Sequence, residues 1–418
     1  MSEKTLKPSI RFKGFTEDWE QCKVTELGKV FIGLVTTMTK HYTDSGYLLI
    51  RNSDIKDNHF DFDENPIYLE KSFGESNSSR MHQIGDVITV HTGDVGTSAV
   101  ISEKEAKSIG FATIVTRPKL EIVNPNYLSC FFNTEKHKLW AIGISTGDGR
   151  TNYNLGDFVK LTVPVPQIEE QKKISELIIN LNNLITLHQR KYDKLLNIKK
   201  SLLEKMFPQN GELIPQIRFK GFTEDWEQHK LGNIGTTYTG LSGKSKDDFG
   251  HGQGRYVTYM NVFKNPIADE TMTELIEIDS SQREVKYGDV FFTTSSETPE
   301  EVGMSSIWLY NSQNTYLNSF CFGYRLDNDT KINPYFLGYL LRSSEPRKAL
   351  ELLAQGISRF NISKTKVMDI EITIPRLNEE QYKIGHLMLS IDNLITLHQR
   401  KLEKLKNIKK SLLEKMFV

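Results

Sequence analysis

The sequence predicts an α+β fold in which two pseudo-twofold-related α/β domains are separated by two long antiparallel coiled-coil helices. Three observations carry that expectation. Residues 10–21 read IRFKGFTEDWEQ, and residues 217–228 read the same. Residues 183–207 return at 393–417 with changes only at Tyr192/Leu402, Asp193/Glu403 and Leu196/Lys406. The offset is 207 residues at the first echo and 210 at the second, while the stretches between them have diverged. Self-similarity at a fixed period decides the architecture before any local reading.

The elements follow in order as a repeated opening segment (1–21), a first α/β domain (22–160) and a central repeated helix (161–207). A linker with the second copy of the opening segment (208–228) leads to a second α/β domain (229–370) and a C-terminal repeated helix (371–418). Apolar residues of the first helix fall at Ile174, Leu177, Leu181, Leu184, Leu195, Ile198 and Leu202, with Ile178, Ile185 and Tyr192 as a flanking seam. The second helix repeats this at Ile384, Leu387, Ile391, Leu394, Leu405, Ile408 and Leu412, flanked by Met388, Ile395 and Leu402. Spacing of 3.5 residues over four heptads is coiled-coil patterning. Pro164, Pro166 and Pro375 stand before the helices, and Glu169, Glu170, Glu379 and Glu380 put negative charge in their opening turns. Pro208 with Asn210 and Gly211 ends the first helix. Each helix should run about 39 residues, roughly 58 Å at 1.5 Å per residue. Two like helices bury their seams most economically against each other; a coiled coil with another chain is the competing reading. His188 and His398 fall on core positions, where a partly buried polar residue sets register.

The second opening segment follows the first helix by a short linker, whereas the first opens the chain. Both chain ends should therefore lie where that linker lies in the other half, as a closed pseudo-dimer requires.

The two domain stretches share a sparse skeleton. Gly33-Leu34 matches Gly240-Leu241, the run Tyr47 to Asn52 matches Tyr256 to Asn261, and Gly85-Asp86-Val-Ile matches Gly288-Asp289-Val-Phe. Each closes on a Gly/Arg/Asn segment, with Arg150, Asn152 and Tyr153 in the first and Arg359 and Asn361 in the second. Short β-type runs at 86–91, 290–294 and 319–324 alternate with turn residues, and helices are expected over 127–142 and 334–353. After each Gly-Asp comes a run of small hydrogen-bonding residues, His91-Thr92-Gly-Asp-Val-Gly96 and Thr293-Thr294-Ser-Ser-Glu297. Such side chains with Arg and Asn read base edges or hold phosphates. They also close loops on their own domain, and that is the alternative for Arg150 and Arg359.

Lys+Arg and Asp+Glu balance at 53 each, so the chain has no net positive field and any nucleic-acid reading must come from local patches. No apolar run approaches the roughly 18 residues that span a bilayer. Residues 1–8 are too polar for a signal peptide. Cys22, Cys130 and Cys321 are isolated and odd in number, which fits a reducing cytoplasm.

Catalytic patterns fail on inspection. Thr239-Gly-Leu-Ser-Gly243-Lys244-Ser245 resembles the end of a phosphate loop, but Tyr238 stands where the first glycine belongs. Asn65-Pro-Ile-Tyr68, Asn124-Pro-Asn-Tyr127 and Asn333-Pro-Tyr-Phe336 lack the second proline of an adenine-methyltransferase motif. Glu284-Val-Lys286 resembles half of a nuclease metal site but sits alone, and the ten histidines show no metal-ligand spacing.

The duplicated order of these parts resembles the DNA-specificity (S) subunit of Type I restriction-modification systems. The resemblance covers essentially the whole chain. Its local carriers are Gly85-Asp86, Gly288-Asp289 and the helix entrance Pro166-Gln-Ile-Glu-Glu-Gln171, loosely repeated at Pro375-Arg-Leu-Asn-Glu-Glu-Gln381. It implies a non-catalytic subunit in which each domain is a target-recognition domain for one half of a bipartite, asymmetric site on double-stranded DNA. The helices would then set the spacer. The residues expected to face DNA are Arg51, Asn52, Arg80, His91, Thr92, Arg150, Asn152 and Tyr153 in the first domain. In the second they are Lys244, Arg255, Asn261, Thr293, Thr294, Arg359 and Asn361. The resemblance also implies two modification (methyltransferase) subunits and two restriction subunits as partners. S-adenosylmethionine, ATP and Mg2+ would sit on those partners, with no cofactor in this chain. A scaffold that binds one partner twice must show it the same face twice. Gln189, Arg190, Lys199, Lys200 and Lys205, with Gln399, Arg400, Lys409, Lys410 and Lys415, are the candidates for that face. Two other readings stay open: a coiled-coil adaptor that binds protein without reading DNA, and a self-sufficient methyltransferase or nuclease, which the missing motifs disfavour.

Overall fold

A computed structural model describes residues 6–62, 66–145 and 151–418. The chain divides into two compact units, residues 1–190 with 399–418 and residues 191–398. Each unit therefore contains one α/β domain and a length of both long helices.

The helices run Ile168–Lys205 and Asn378–Met416, 38 and 39 residues without interruption. In unit 1, Ile174 and Ile178 share a hydrophobic cluster with Leu412, Leu413 and Met416. Further along, Asn182, Ile185 and Thr186 line one cavity with Lys406, Lys409 and Lys410. Rising numbers on one helix meet falling numbers on the other, so the pair is antiparallel. In unit 2, Ile384 and Met388 cluster with Leu202, Leu203 and Met206, and Lys199 meets Asp392 at 2.6 Å in the same sense. The flanking seam is the better buried one: Ile178, Met388, Ile395 and Leu402 are covered, whereas Leu184, Ile198, Leu394 and Ile408 of the expected main seam are 37–44% exposed. The helices also pack on their own domains, and that demand rotates the apolar face away from a pure coiled-coil seam.

The opening segments explain the closure expected of the chain ends. Trp19 (3% exposed) packs edge-on against Phe417, and Trp226 against Phe207, each at 6.4 Å between ring centroids. Ile10 N donates to Lys415 O in unit 1 as Ile217 N donates to Lys205 O in unit 2. Arg11 binds Glu170 through two hydrogen bonds of 2.7 and 2.8 Å, and Arg218 binds Glu380 at 2.6 and 2.8 Å. Glu170 and Glu380 are buried, so the acidic first turn of each helix is an anchor for the opening segment as well as a complement to the helix dipole.

The neighbouring glutamine has an equally local role. Gln171 accepts from Asn124 N at 2.8 Å and donates to Pro166 O, and Gln381 does the same with Asn333 N and Pro375 O. Asn124 and Asn333 cap the helices Pro125–Phe132 and Pro334–Leu340, each with proline in the first turn. Two of the three Asn-Pro motifs are thus helix starts; Asn65 lies outside the described residues. The single helices expected over 127–142 and 334–353 are each two. Thr134 caps Glu135–Ile144, and the Asn133 side chain turns aside to Ser98. In unit 2 the second helix is Ser344–Leu352.

Each domain is built on a four-stranded antiparallel sheet of the same order. Unit 1 pairs Gly28–Ile32, Ile114–Pro118, Val87–Thr89 and Ser98–Val100. Unit 2 pairs Gly235–Thr239, Cys321–Leu326, Val290–Thr293 and Ser305–Ile307. A second sheet in each includes one parallel pair, Tyr47–Ile50 with Ile109–Gly110 and Phe249–Val257 with Thr315–Leu317. The two middles are one fold written in two sequences.

Candidate nucleic-acid interface

The Gly-Asp motif is where the two domains agree most closely, and its role is structural. Asp86 (1% exposed) accepts from Gln83 N and takes two hydrogen bonds from Arg117 at 2.8 and 2.7 Å. Asp289 (0%) accepts from Lys286 N, takes two from Arg325 at 2.7 Å each, and adds the Tyr238 hydroxyl at 2.6 Å. The carboxylate closes the turn before its strand and ties it to the next strand. Its hydrogen bond holds each arginine's pKa above the ordinary guanidinium value.

Six residues beyond each aspartate, past the end of its strand, the chain meets the closing Gly/Arg/Asn segment. In unit 1 Thr92 bridges Asn152, and Thr92 Oγ1 donates to Asn152 Oδ1 at 2.8 Å. In unit 2 Ser295 pairs with Asn361 and Ser296 with Phe360. Asn52 joins the first cluster: its Oδ1 accepts from His91 N at 2.8 Å, and its amide donates to Phe111 O. His91 Nδ1 lies 2.7 Å from Thr92 Oγ1, and burial pulls its pKa below the usual histidine value. The structure thus gathers Asn52, His91, Thr92 and Asn152 into one half-buried polar patch. Arg150 lies outside the described residues.

In unit 2 the matching patch holds Thr294, Arg359 and Asn361. Arg359 is exposed, donates to Ser295 Oγ at 3.2 Å, and lies over the Phe320 ring at 5.7 Å. Gly356 shapes its loop at φ +146°, where a Cβ would run into the Arg359 carbonyl. Thr294 sends both its amide and its hydroxyl to Phe320 O.

Other expected contacts are placed elsewhere. Tyr153, Asn261 and Thr293 are fully buried, and that withdraws them from any surface a base could reach. Tyr153 packs on His137, its hydroxyl 3.3 Å from Nε2. Asn261 holds Asp269 and Met272 backbone groups, and Thr293 accepts from Met304 N. Arg51 is engaged with Asp54, Arg80 with Ile32 O, Lys244 with Asp279 at 2.8 Å, and the exposed Arg255 with Thr273. The phosphate-loop look-alike at Lys244 is therefore an ion-paired turn.

The match of Tyr47–Asn52 to Tyr256–Asn261 shifts by two residues. Ile50 faces Gly110 where Val257 faces Leu317, and Leu34 N and Leu241 N donate to the carbonyls of Gly110 and Leu317. Tyr259 therefore occupies the place of Asn52, and its hydroxyl donates to Ser295 O at 2.7 Å. Tyr259, Phe111 and Phe320 are the members of these patches that sequence reading missed. An identity-based alignment of the two halves hides them.

On the helices the repeated residues behave unevenly. Lys199 pairs with Asp392, but position 182 in unit 1 is asparagine, and the equivalent Lys409 turns to Asp57 at 3.4 Å. Lys410 reaches Glu135 at 3.6 Å. Arg190, Lys200, Lys205, Gln399, Arg400 and Lys415 are exposed, and Gln189 is half-buried. Beside them Leu184 and Leu187 in unit 1, and Leu394 and Leu397 in unit 2, stand 44–47% exposed.

Among the described residues no helix is long and apolar enough to cross a membrane, and no group of three or more His, Cys, Asp or Glu could hold a metal ion.

Fold and patches together define a duplicated protein whose two domains present unlike polar surfaces in like frames. The family model described as "Type I restriction modification DNA specificity domain" matches residues 16–197 and again 223–407. The chain belongs to this family. It is 24% identical over 323 residues to the type I restriction enzyme MjaVIII specificity subunit of Methanocaldococcus jannaschii, covering 71% of this chain and 70% of the relative. To the StySPI specificity subunit of Salmonella potsdam it is 21% identical over 419 residues, covering 96% and 89%. The crystal structure of the type I restriction-modification S subunit from M. genitalium superposes at a TM-score of 0.59 over 99% of both chains, with 14% identity.

Proposed function

We propose that this chain is the non-catalytic sequence-reading subunit of a cytoplasmic type I restriction-modification enzyme. Each domain reads one half of a bipartite, asymmetric site on double-stranded DNA, and the long helices fix the number of unread base pairs. Two modification subunits dock on the repeated helix faces, and two restriction subunits join them. S-adenosylmethionine, ATP and Mg2+ act on those partners.

The observation that carries this reading is the pair of equivalent patches. The same frame, built on Asp86–Arg117 and Asp289–Arg325, holds Asn52, His91, Thr92 and Asn152 in one domain and Thr294, Arg359 and Asn361 in the other. A like frame with unlike polar surfaces suits recognition of two different sequences, since base edges are read by donor and acceptor pattern. The repeated exposed leucines beside repeated lysines suit one partner bound twice. Neutral net charge also fits, because the partners can supply much of the phosphate grip.

The test is co-expression with cognate modification subunits followed by methylome sequencing. A single split motif is expected, and a continuous motif or none would remove the reading. Deleting one heptad from both helices should shorten the gap by about 3 base pairs, because a heptad is roughly 10 Å and a base pair about 3.4 Å. An adaptor that only binds protein would show no sequence-selective methylation with any partner present.

A further inference from the structure

The geometry points to one exposed phenylalanine in each domain, Phe111 and Phe320, as an apolar contact to the bases of that domain's half-site. Both lie in the turn that leads into the strand carrying the arginine of the buried ion pair. Ile114 faces Thr89 as Phe322 faces Phe292, which sets the two turns in register. Phe111 stands three residues before Ile114, and Phe320 two before Phe322. The two phenylalanines thus fall one residue apart in equivalent turns, without sharing a position in the sequence.

The rings are 42% and 54% exposed, although a phenylalanine left in water gives up most of the burial free energy that would normally hold it. Their backbones, by contrast, are held firmly. Phe111 N donates to Ile50 O at 2.8 Å, and its carbonyl accepts from the Asn52 amide at 3.3 Å. Phe320 N donates to Asn318 Oδ1 at 2.8 Å, and its carbonyl takes the Thr294 amide at 2.9 Å and the Thr294 hydroxyl at 2.7 Å. A pinned backbone with a half-exposed side chain is pre-organised for a partner.

The surroundings identify that partner. One pinning group in each domain, Asn52 and Thr294, belongs to the polar patch described above, and the Arg359 guanidinium lies over the Phe320 ring. An arginine beside an apolar ring can take guanine O6 and N7 while the ring covers a thymine methyl or wedges at a base step. This inference rests on the reading that these patches face DNA.

The experiment uses the complex reconstituted with its modification subunits. Methylation and binding are measured against the mapped site at several salt concentrations, for wild type and for F111A, F320A and their leucine counterparts. F111A is expected to weaken recognition of the first domain's half-site and F320A that of the second, each by about 10- to 100-fold, as base–aromatic contacts commonly do. Leucine should restore part of the loss. The slope of log affinity against log salt should stay at the wild-type value, because a ring releases no counterions.

Variants that match wild type while the wild-type complex methylates a split motif would overturn this inference alone. A shallower salt slope would overturn it too, since the loss would then come from a displaced phosphate-binding cation and not from the ring. Equal losses at both half-sites from either variant would also count against it. A wild-type complex with no split motif would remove the functional reading and this inference together.

Discussion

The backbone amide of Ile10 donates to the carbonyl of Lys415 at 3.0 Å, joining residues from near the two ends of the numbering. Ile217 and Lys205 make the same bond at 2.8 Å across a short linker. Unit 1 is thus completed by the end of the C-terminal helix as unit 2 is completed by the end of the central one.

That closure predicts reciprocal local damage. Phe417 is buried among Trp19, Tyr127 and Phe131, and Phe207 between Trp226 and Phe336. F417A should destabilise unit 1 by about 3 kcal/mol, the usual cost of emptying a phenylalanine site, and leave unit 2 intact. F207A should do the reverse. Amide hydrogen exchange resolved by segment reads both outcomes, and equal loss in both units from either variant would contradict the closure.

The buried aspartates should be unequal. Removing one partner of a buried ion pair leaves the other charge unpaired, at about 3 kcal/mol or more. Asp86 holds Arg117 and a turn amide, whereas Asp289 also takes the Tyr238 hydroxyl. D289N should therefore lower stability more than D86N, as seen in denaturant midpoints assigned to each unit. Neither variant should change which bases are read, because neither aspartate reaches the surface.

Unit 1 should be the acid-sensitive half. Burial pushes His82 and His137 down to about 4, against the nearby Asp86 carboxylate for the first and the Phe132 carbonyl for the second. Unfolded histidine titrates near 6.5, so between about 6.5 and 4 the unfolded chain binds protons that the folded unit does not. Stability is then complete above about pH 6.5 and falls as pH drops toward 4, by roughly 1.4 kcal/mol per pH unit for each histidine in that window. Hydrogen exchange between pH 7 and 5 should show unit 1 losing protection first. H82Q should flatten that slope by about one proton.

How much of this was legible in the sequence depended on whether a feature repeats. The two helices and the opening segments follow from near-exact echoes, the domain fold from a sparser shared skeleton, and the helices of 38 and 39 residues have the expected length. The Gly-Asp and Glu-Glu-Gln motifs were visible as signals, but their partners Arg117, Arg325, Arg11 and Arg218 lie far away in sequence. The reading patches were legible in part. Thr92 follows the shared Gly-Asp motif, and Asn152, Arg359 and Asn361 belong to the shared Gly/Arg/Asn segment. Tyr259 was hidden by a two-residue register shift, and Phe111 and Phe320 differ in position between the halves. Burial decided the rest, since no local pattern distinguishes the buried Thr293 from the half-exposed Thr294.

The exposed helix stripe carries the last prediction. Leu187 and Leu397 occupy equivalent positions, 47% and 45% exposed, next to repeated glutamine, arginine and lysine. If each stripe receives one modification subunit, a leucine buried there contributes about 1.5–3 kcal/mol, and a carboxylate in its place adds the cost of an unpaired buried charge. L187D should therefore yield a complex with one modification subunit instead of two, and L397D the same. The double variant should bind none, while circular dichroism and melting stay near wild type because both sites lie on the surface. Native mass spectrometry counts the subunits directly. A double variant that still carries two modification subunits would place the docking face elsewhere on the chain.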